Sequence, residues 1–222
     1  MTMTELFRTI SKNSLTLGLF AVLTTGLVAS TWYATRDRIA NQIRVSEKKA
    51  LYEVLPPSAF DNSLLDTRVI LPEPERLGPW GQPPKAYIAF QGNQPSAIIL
   101  PVVTPDGYSG RISLLVGIYA NGQIAGVRVI THKETPGLGD NIDTRISDWI
   151  LGFNGKSINN PARKGWAVRK DGGEFDQFTG ATITPRAVVT AVRHSLDYFA
   201  DYHDTLFTNG LQRLKELSHE QH

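Results

Sequence analysis

The chain has 222 residues, of which 23 are basic and 21 acidic, and its formal net charge is +2. This length allows one sizeable domain with appendages and is too short for two large domains. The balanced charge, with no basic stripe along the chain, gives no indication of a nucleic-acid partner. Because there is no cysteine, the chain has no disulfide, no haem attached at a C-x-x-C-H motif and no iron–sulfur cluster on cysteine ligands.

An uncharged stretch near the N-terminus predicts a transmembrane helix. Residues 15–34 read LTLGLFAVLTTGLVASTWYA, and a helix of this length covers roughly 30 Å, about one hydrocarbon core. Trp32 and Tyr33 stand where interfacial aromatic residues are expected. A cleaved signal peptide with its apolar region over residues 15–28 is the alternative. We favour a retained anchor because the apolar run reaches spanning length and no clean A-x-A cleavage site follows it.

Beyond the anchor, the pattern predicts a helical stalk and then an irregular connection. A helical stripe of apolar residues crosses residues 36–55 and ends at Pro56-Pro57, which stop the helix. The members of the stripe are Ile39, Ile43, Ala50 and Val54. Residues 56–84 contain seven of the thirteen prolines, which is typical of an irregular connection.

Four strand-like runs follow and predict a twisted, mostly antiparallel sheet. They cover residues 86–90, 96–103, 111–119 and 123–131. In the third run, apolar side chains alternate on one face, as expected for a strand that lines a core. These alternating residues are Ile112, Leu114, Val116 and Ile118. Asn121-Gly122, before the fourth run, is the strongest hairpin signal in the chain.

Two amphipathic helices are predicted in the second half, which makes the fold class α+β. The first begins near Asp140 or Asn141, and the second begins at Pro185 and is interrupted at Asn209-Gly210. The apolar face of the first carries Ile142, Ile146, Trp149, Ile150 and Phe153. That of the second carries Val188, Ala191, Val192, Leu196 and Phe199. The predicted organisation is a tail over 1–14, a transmembrane helix over 15–35, a stalk and connection over 36–84, a main domain over 85–207 and a polar tail over 208–222.

The segment DQFTGATITP, residues 176–185, places two hydroxyls around a Gly-Ala pair at the start of the second helix. A helix N-terminus has unpaired N–H groups and a partial positive charge, so it favours an anion. Thr184 and Pro185 match a cap followed by the first helical residue. Since Thr184 accounts for the cap, Thr179 and Thr182 are left over, and Thr182 is well placed to carry or contact a phosphate. An ordinary helix start without any ligand is the alternative.

The glycine-rich segment HKETPGLGD, residues 132–140, is a second candidate site for a flat ligand or a phosphate. Its glycines match neither a Walker loop nor a dinucleotide fingerprint, so an ordinary strand-to-helix turn explains them about as well. His132 and Glu134 form a conceivable metal pair. No third and fourth ligands lie within reach in the sequence, so no metal site is predicted. Tyr108, in the turn TPDGYSG, is assigned to packing.

Together these segments resemble a known family. The motif D-x-x-T-G-A-T is similar to the flavinylation motif of FMN-binding domains, with Thr where Ser is commoner at its fourth position. It consists here of Asp176, Thr179, Gly180, Ala181 and Thr182. With ETPGLG upstream and a single N-terminal span, the chain resembles the G subunits of Rnf (Rsx) ion-translocating electron transport complexes. The C subunit of the sodium-pumping NADH:quinone reductase is a more distant relative.

The resemblance implies a cofactor and its contacts. A flavin transferase that uses FAD and Mg²⁺ attaches FMN, through its phosphate, to the last threonine of the motif, here Thr182. The loop 134–139 is implied to lie against the isoalloxazine, with Leu138 over one ring face. Lys170 or Arg169 is implied to approach the phosphate or the pyrimidine edge. The implied cofactor-binding residues are Thr179, Gly180, Ala181, Thr182, Glu134, Thr135, Gly137, Leu138, Gly139 and Lys170.

By the same resemblance, residues 85–207 form an FMN-binding domain of a membrane-anchored subunit that relays electrons among the other membrane subunits of an ion-translocating complex. No catalytic residue and no substrate site of its own are expected. The domain is implied to lie on the periplasmic side of the inner membrane, whereas basic residues counted out to Lys49 favour a cytoplasmic domain. A cofactor-free structural or assembly subunit is the alternative. A free-standing FMN reductase is disfavoured because the sequence contains no dinucleotide site.

Overall fold

The computed structural model describes residues 3–220, and the chain divides into two compact units, Met1–Glu47 and Lys48–His222. Within residues 3–220, two helices and five strands form the regular structure, joined by short 3-10 turns. In chain order they are α1 Met3–Val54, β1 Arg68–Ile70, β2 Lys85–Gln91, β3 Gln94–Gly107, β4 Gly110–Tyr119, β5 Ile124–Thr131 and α2 Ile183–Glu220.

The first unit is formed by the greater part of α1, which is long and apolar enough to cross a membrane. The candidate span is Ile10–Val54; its most apolar window has a mean hydropathy of 1.6 and no buried residues. Thr24 and Thr31 make the segment less apolar, but their hydroxyls donate to the carbonyl oxygens of Phe20 and Leu27 at 2.9 and 2.8 Å. Such bonds satisfy the hydroxyls inside the helix, as a hydrocarbon environment requires.

The second unit is built on a five-stranded sheet in which neighbours in the chain are neighbours in space. The order is β1-β2-β3-β4-β5, and all four pairings are antiparallel. The α+β class and the antiparallel sheet predicted from the sequence are confirmed. The sequence did not predict β1, because three residues inside a proline-rich connection are too short for a recognisable alternation.

Both faces of the sheet are covered. On one face, the predicted alternating side chains of β4 pack with the apolar face of α2, including Val188, Val192 and Leu196. On the other face, Leu51 and Val54 from the last turn of α1 belong to a second cluster. Its further buried members are Leu55, Leu64, Ala89, Ala97, Ile99 and Leu115. The sheet is therefore a rigid, two-sided support for the loops at its ends.

The predicted helix over residues 140–153 is wrong. The structure has two separate 3-10 turns there, Gly139–Ile142 and Trp149–Phe153. Between them, the carboxylate of Asp143 accepts a hydrogen bond from the amide of Arg145 at 2.9 Å, and the hydroxyl of Ser147 donates to the carbonyl of Asn141 at 2.6 Å. These side chains take up backbone groups that a continuous helix needs. Ile142, Ile150 and Phe153 still reach the core.

The predicted interruption at Asn209-Gly210 is also wrong, because α2 continues to Glu220. A Cβ added to Gly210 would stand 2.9 Å from two side-chain carbons of Ile88 on β2. The glycine therefore allows close contact between helix and sheet rather than ending the helix. Leu206 is fully buried one turn earlier, so the helix remains packed on the core up to this point.

Tyr198 ties α2 to the segment before β2. Its side chain is fully buried, and its hydroxyl donates a hydrogen bond to the carbonyl oxygen of Pro72 at 2.5 Å. Burial, more than any nearby charge, raises the pKa of this hydroxyl above its ordinary value. The folded protein therefore holds Tyr198 in its neutral form, and ionisation of the group opposes folding.

We predict that Tyr198→Phe lowers the free energy of unfolding by about 1 kcal/mol at neutral pH, since the Pro72 carbonyl loses a buried donor. Above the ordinary tyrosine pKa of about 10, the unfolded wild-type chain ionises at this position and the folded chain does not. Wild-type stability then falls as the pH rises, and the difference between the two proteins shrinks. Urea unfolding of the detergent-solubilised chain at neutral and alkaline pH, followed by tryptophan fluorescence, measures both effects. Tyr52→Phe, at an exposed ring, is the control, and a difference that does not change with pH contradicts the prediction.

Candidate functional site

The start of α2 lies two residues earlier than the sequence predicts. The helix begins at Ile183, and the amide of Arg186 donates to the carbonyl oxygen of Thr182 at 3.3 Å. Accepting the first intrahelical bond is the property of an N-cap residue, so Thr182 and not Thr184 has that position. Thr182 is half-buried, and its hydroxyl has no hydrogen-bond partner among residues 3–220.

A tight turn precedes this helix start. The amide of Ala181 donates to the carbonyl of Phe178 at 3.1 Å, which closes a four-residue turn. Gly180, the third residue of that turn, has φ +79°, a value that a type II turn requires there and that a side chain disfavours. Thr179 and Gly180 are both exposed. The glycine of the motif is thus explained by the backbone, and Thr179 is presented to solvent.

A buried carboxylate joins the two motifs that the sequence singled out. Glu134 is only 4% exposed and Thr184 is fully buried. Thr184 Oγ1 donates a short hydrogen bond to Glu134 Oε2, and the amide of Ser109 donates to Glu134 Oε1 at 3.0 Å. A Cβ on Gly107 or on Gly139 would stand 2.8 Å from a Glu134 carboxylate oxygen. We call these five residues the Glu134 clamp.

The clamp shows what Glu134 and Thr184 do in the fold. Both carboxylate oxygens of Glu134 are directed inward onto protein donors, so this residue holds the loop 132–140 against the start of α2. A buried carboxylate is tolerated only when hydrogen bonds replace its hydration. The sequence offered a capping role for Thr184 and a cofactor contact for Glu134. It gave no signal for a bond between two residues fifty positions apart.

The loop 134–139 and the turn 178–181 also touch each other at the surface. Leu138 Cδ2 lies 3.7 Å from the point where a Cβ on Gly180 would stand. Leu138 is 41% exposed, and Thr135 and Gly137 beside it are exposed as well. Asp140 Oδ1 is buried without a hydrogen-bond partner in the described chain. The surface therefore combines an uncovered apolar side chain with open backbone, and an unused acceptor is buried two residues further along the loop.

The basic residues near the turn differ in whether they are paired with a carboxylate or free to bind an anionic ligand. Arg169 pairs with Asp176 at 2.6 Å, and Arg186 pairs with Asp171 at 2.7 Å. The hydrogen bond from Arg186 lowers the pKa of Asp171. Lys170, next to Arg169 in the sequence, is exposed. Its ammonium group makes no salt bridge within residues 3–220, although its charge also helps to lower the pKa of Asp171. Of the two basic residues considered at the sequence level, Lys170 is the one left free for an anionic ligand.

Aromatic side chains support the turn from below. The indole N–H of Trp149 donates to the carbonyl of Asp176 at 2.8 Å, and its ring lies 5.1 Å from that of Phe178. Phe153 and Phe175 stack at 4.5 Å in the core beneath. Sequence reasoning assigned Trp149 to a helix face and missed this contact, because the helix it assumed does not form.

His132 and Glu134, the pair considered for a metal, make hydrogen bonds within the protein instead. The amide of Glu134 donates to Nδ1 of His132 at 3.2 Å, while the Glu134 carboxylate is held in the clamp. Within the described residues, no group of three or more His, Asp or Glu side chains is arranged to hold a metal ion.

Two family models match the chain. A model of the FMN-binding domain matches residues 107–197, which include the clamp, the turn and Thr182. A model of the RnfG N-terminal region matches residues 1–54.

Curated relatives named as the G subunits of ion-translocating oxidoreductase complexes match most of the chain. The protein from Pseudomonas aeruginosa strain UCBPP-PA14 is 53% identical over 192 residues, which are 86% of this chain and 89% of that protein. That from Shewanella loihica is 49% identical over 199 residues, 90% of this chain and 93% of that protein. The chain belongs to this G-subunit family. Another family member, from Vibrio vulnificus, is 48% identical over 202 residues, 91% of this chain and 95% of that protein.

Among solved structures, the crystal structure of Shewanella oneidensis NqrC is similar, with a TM-score of 0.46 and 22% sequence identity. The alignment covers 68% of this chain and 72% of that chain.

The residues of the site fit the FMN of the matching domain model. A flavin mononucleotide has an anionic phosphate, hydrogen-bond donors on its ribityl chain and ring, and a flat apolar ring system. The start of α2 at Thr182 and the free Lys170 suit the phosphate. The unused oxygen of Asp140 suits a donor, and the exposed Leu138 suits the ring.

We predict that Gly139→Ala destabilises the fold by about 1–3 kcal/mol, because the added methyl group must push Glu134 and Thr184 apart. Gly81→Ala, where an added Cβ meets nothing within 4 Å, is the matched control and should change stability by less than about 0.5 kcal/mol. Urea unfolding of the full chain in detergent measures both. Equal midpoints for the two variants would show that the clamp is not closely packed.

Proposed function

We propose that this family member is a membrane-anchored flavoprotein subunit that relays electrons within an ion-translocating oxidoreductase complex. Its FMN is attached covalently, through the phosphate, to Thr182. The observation that carries the proposal is the free hydroxyl of Thr182 at the N-cap of α2, beside a turn whose glycine keeps the approach open. The names of the curated relatives and the match to the FMN-binding domain support the choice of complex and cofactor.

The position of Thr182 suits a phosphate ester for electrostatic reasons. The first amides of a helix lack intrahelical acceptors, and the helix dipole places partial positive charge at this end. An anionic phosphodiester on the N-cap oxygen lies within reach of both. Arg186, in the first turn, is already paired with Asp171, so Lys170 supplies the mobile positive charge.

Attachment needs a separate flavin transferase acting on FAD with Mg²⁺. The Thr182 oxygen forms a bond to the phosphorus on the FMN side of FAD, the pyrophosphate P–O bond breaks, and AMP leaves. The hydroxyl proton is released in the same exchange, so no oxidant or reductant is consumed. This chain contributes an accessible hydroxyl on a firmly held turn, and the transferase contributes the catalytic groups.

The flavin supplies the redox chemistry, and the chain supplies its position. A covalent tether keeps the carrier from dissociating between electron transfers, and the rigid sheet under the site keeps its distance to neighbouring cofactors constant. No separate substrate site is required, because other subunits of the complex deliver and remove electrons. We further propose that α1 anchors the chain in the inner membrane with the second unit on the periplasmic side.

Mass spectrometry of the tryptic peptide 171–186 tests the attachment. Protein purified from cells with an active flavin transferase should carry the mass of FMN minus one water on this peptide. Thr182→Ala should abolish the added mass without unfolding the chain, because the hydroxyl makes no hydrogen bond to any of residues 3–220. Thr182→Ser should retain the modification, since it keeps the oxygen.

Thr190→Ala is the matched control, an exposed threonine on the same helix, and it should retain the added mass. An unmodified wild-type peptide, from cells in which another substrate of the transferase is modified, contradicts the proposed attachment. A modified peptide in the Thr182→Ala variant contradicts the choice of residue.

Reporter fusions test the proposed side of the membrane. Alkaline phosphatase, which is active only outside the cytoplasm, should be active when fused after residue 222, and β-galactosidase at the same position should be inactive. The opposite pair of activities would place the domain in the cytoplasm, as the basic residues after the span favour.

A further inference from the structure

Three large apolar side chains stand exposed around the Glu134 clamp, and each comes one residue before a member of the clamp. They are Tyr108, Leu138 and Ile183, with exposed fractions of 67%, 41% and 46%. Because the clamp brings their three segments together at Glu134, the backbones that carry these exposed side chains lie close to one another. Large apolar side chains gathered on a surface mark a binding site. We call these three residues the apolar rim.

Tyr108 is the most exposed member of the rim, although its backbone is firmly held. The residue before it, Gly107, lies so close to Glu134 that an added Cβ would stand 2.8 Å from Oε1. The residue after it, Ser109, donates its amide to the same oxygen at 3.0 Å. The β3–β4 turn is thus fixed against the clamp on both sides of Tyr108.

The described part of the chain leaves most of Tyr108 exposed. Within residues 3–220 its hydroxyl has no hydrogen-bond partner and its ring stacks on no other aromatic ring. The sequence-based assignment of Tyr108 to packing is therefore wrong. A mostly exposed aromatic side chain on a firmly held turn, without a hydrogen-bond or stacking partner among residues 3–220, is available to a ligand.

We propose that the ring of Tyr108 contacts the isoalloxazine of the bound flavin. This inference rests on the proposed function, because it concerns the flavin attached at Thr182. Aromatic rings prefer stacked or edge-to-face contact with other flat π systems, and Leu138 provides an aliphatic contact on the same surface. Tyr108 acts as a positioning residue that holds the ring and shields it from water.

A tyrosine in contact with a flavin has an optical consequence. The phenol ring donates an electron to the excited flavin, and the electron returns without emission, so fluorescence is quenched and no net redox change occurs. The attached flavin should therefore emit weakly in the folded protein and brightly after denaturation. Leucine at position 108 cannot donate, whereas the indole of tryptophan can.

The test uses the full chain, flavinylated in cells with an active transferase, and compares Tyr108→Leu with Tyr119→Leu. Tyr119 lies at the end of β4 that is far from the β3–β4 turn, so it controls for loss of a tyrosine away from the site. Fluorescence emission is divided by the amount of covalently bound flavin, which is determined from flavin absorbance after denaturation. Mass spectrometry of peptide 171–186 confirms that each variant carries the added mass. We expect a several-fold rise in folded-state emission for Tyr108→Leu, none for Tyr119→Leu, and weak emission again for Tyr108→Trp.

The outcomes separate this inference from the function on which it rests. Unchanged emission in Tyr108→Leu with the added mass intact, or an equal rise in Tyr119→Leu, overturns the Tyr108 contact and leaves the attachment standing. A wild-type chain without added mass overturns both. Retained melting temperature in Tyr108→Leu excludes unfolding as the cause of any rise.

Discussion

The carboxylate of Glu134 is buried where water cannot hydrate it, and its two hydrogen-bond donors come from distant parts of the chain. One is the amide of Ser109 in the β3–β4 turn, and the other is the hydroxyl of Thr184 in the first turn of α2. Removing either donor leaves a buried acceptor unsatisfied, which is costly. The fold therefore has to bring three segments together, and the surface they form is where the flavin site is proposed.

This arrangement places the residues of the site on rigid supports. The sheet is packed on both faces, by α2 on one side and by the end of α1 on the other. The acceptor hydroxyl of Thr182 stands at the end of a 38-residue helix, and the turn before it rests on an aromatic cluster. Such rigidity suits a tethered redox carrier, because small displacements of the groups that hold a cofactor weaken its binding and positioning.

The sequence predicted those parts of the fold whose signal is local. Alternation located β4, the Asn121-Gly122 pair located a hairpin, and the T-G-A-T motif pointed to the start of α2. The failures have two physical origins: local side-chain bonds that compete with a helix, and contacts between residues far apart in the chain. Side-chain bonds of Asp143 and Ser147 replaced a helix that the apolar spacing indicated. The roles of Thr184 and Tyr108 depend instead on Glu134, a residue distant in the sequence. Its proximity in space cannot be predicted from neighbours along the chain.

The central claim is that Glu134 and Thr184 interact directly and hold the two motifs together. A double-mutant cycle with Glu134→Leu, Thr184→Val and the double variant, measured by urea unfolding of the full chain, tests it most directly. If the bond exists, each single change leaves one polar partner buried and the double change removes both. The coupling energy should then be at least about 1 kcal/mol. Effects that add to within about 0.5 kcal/mol would contradict the clamp.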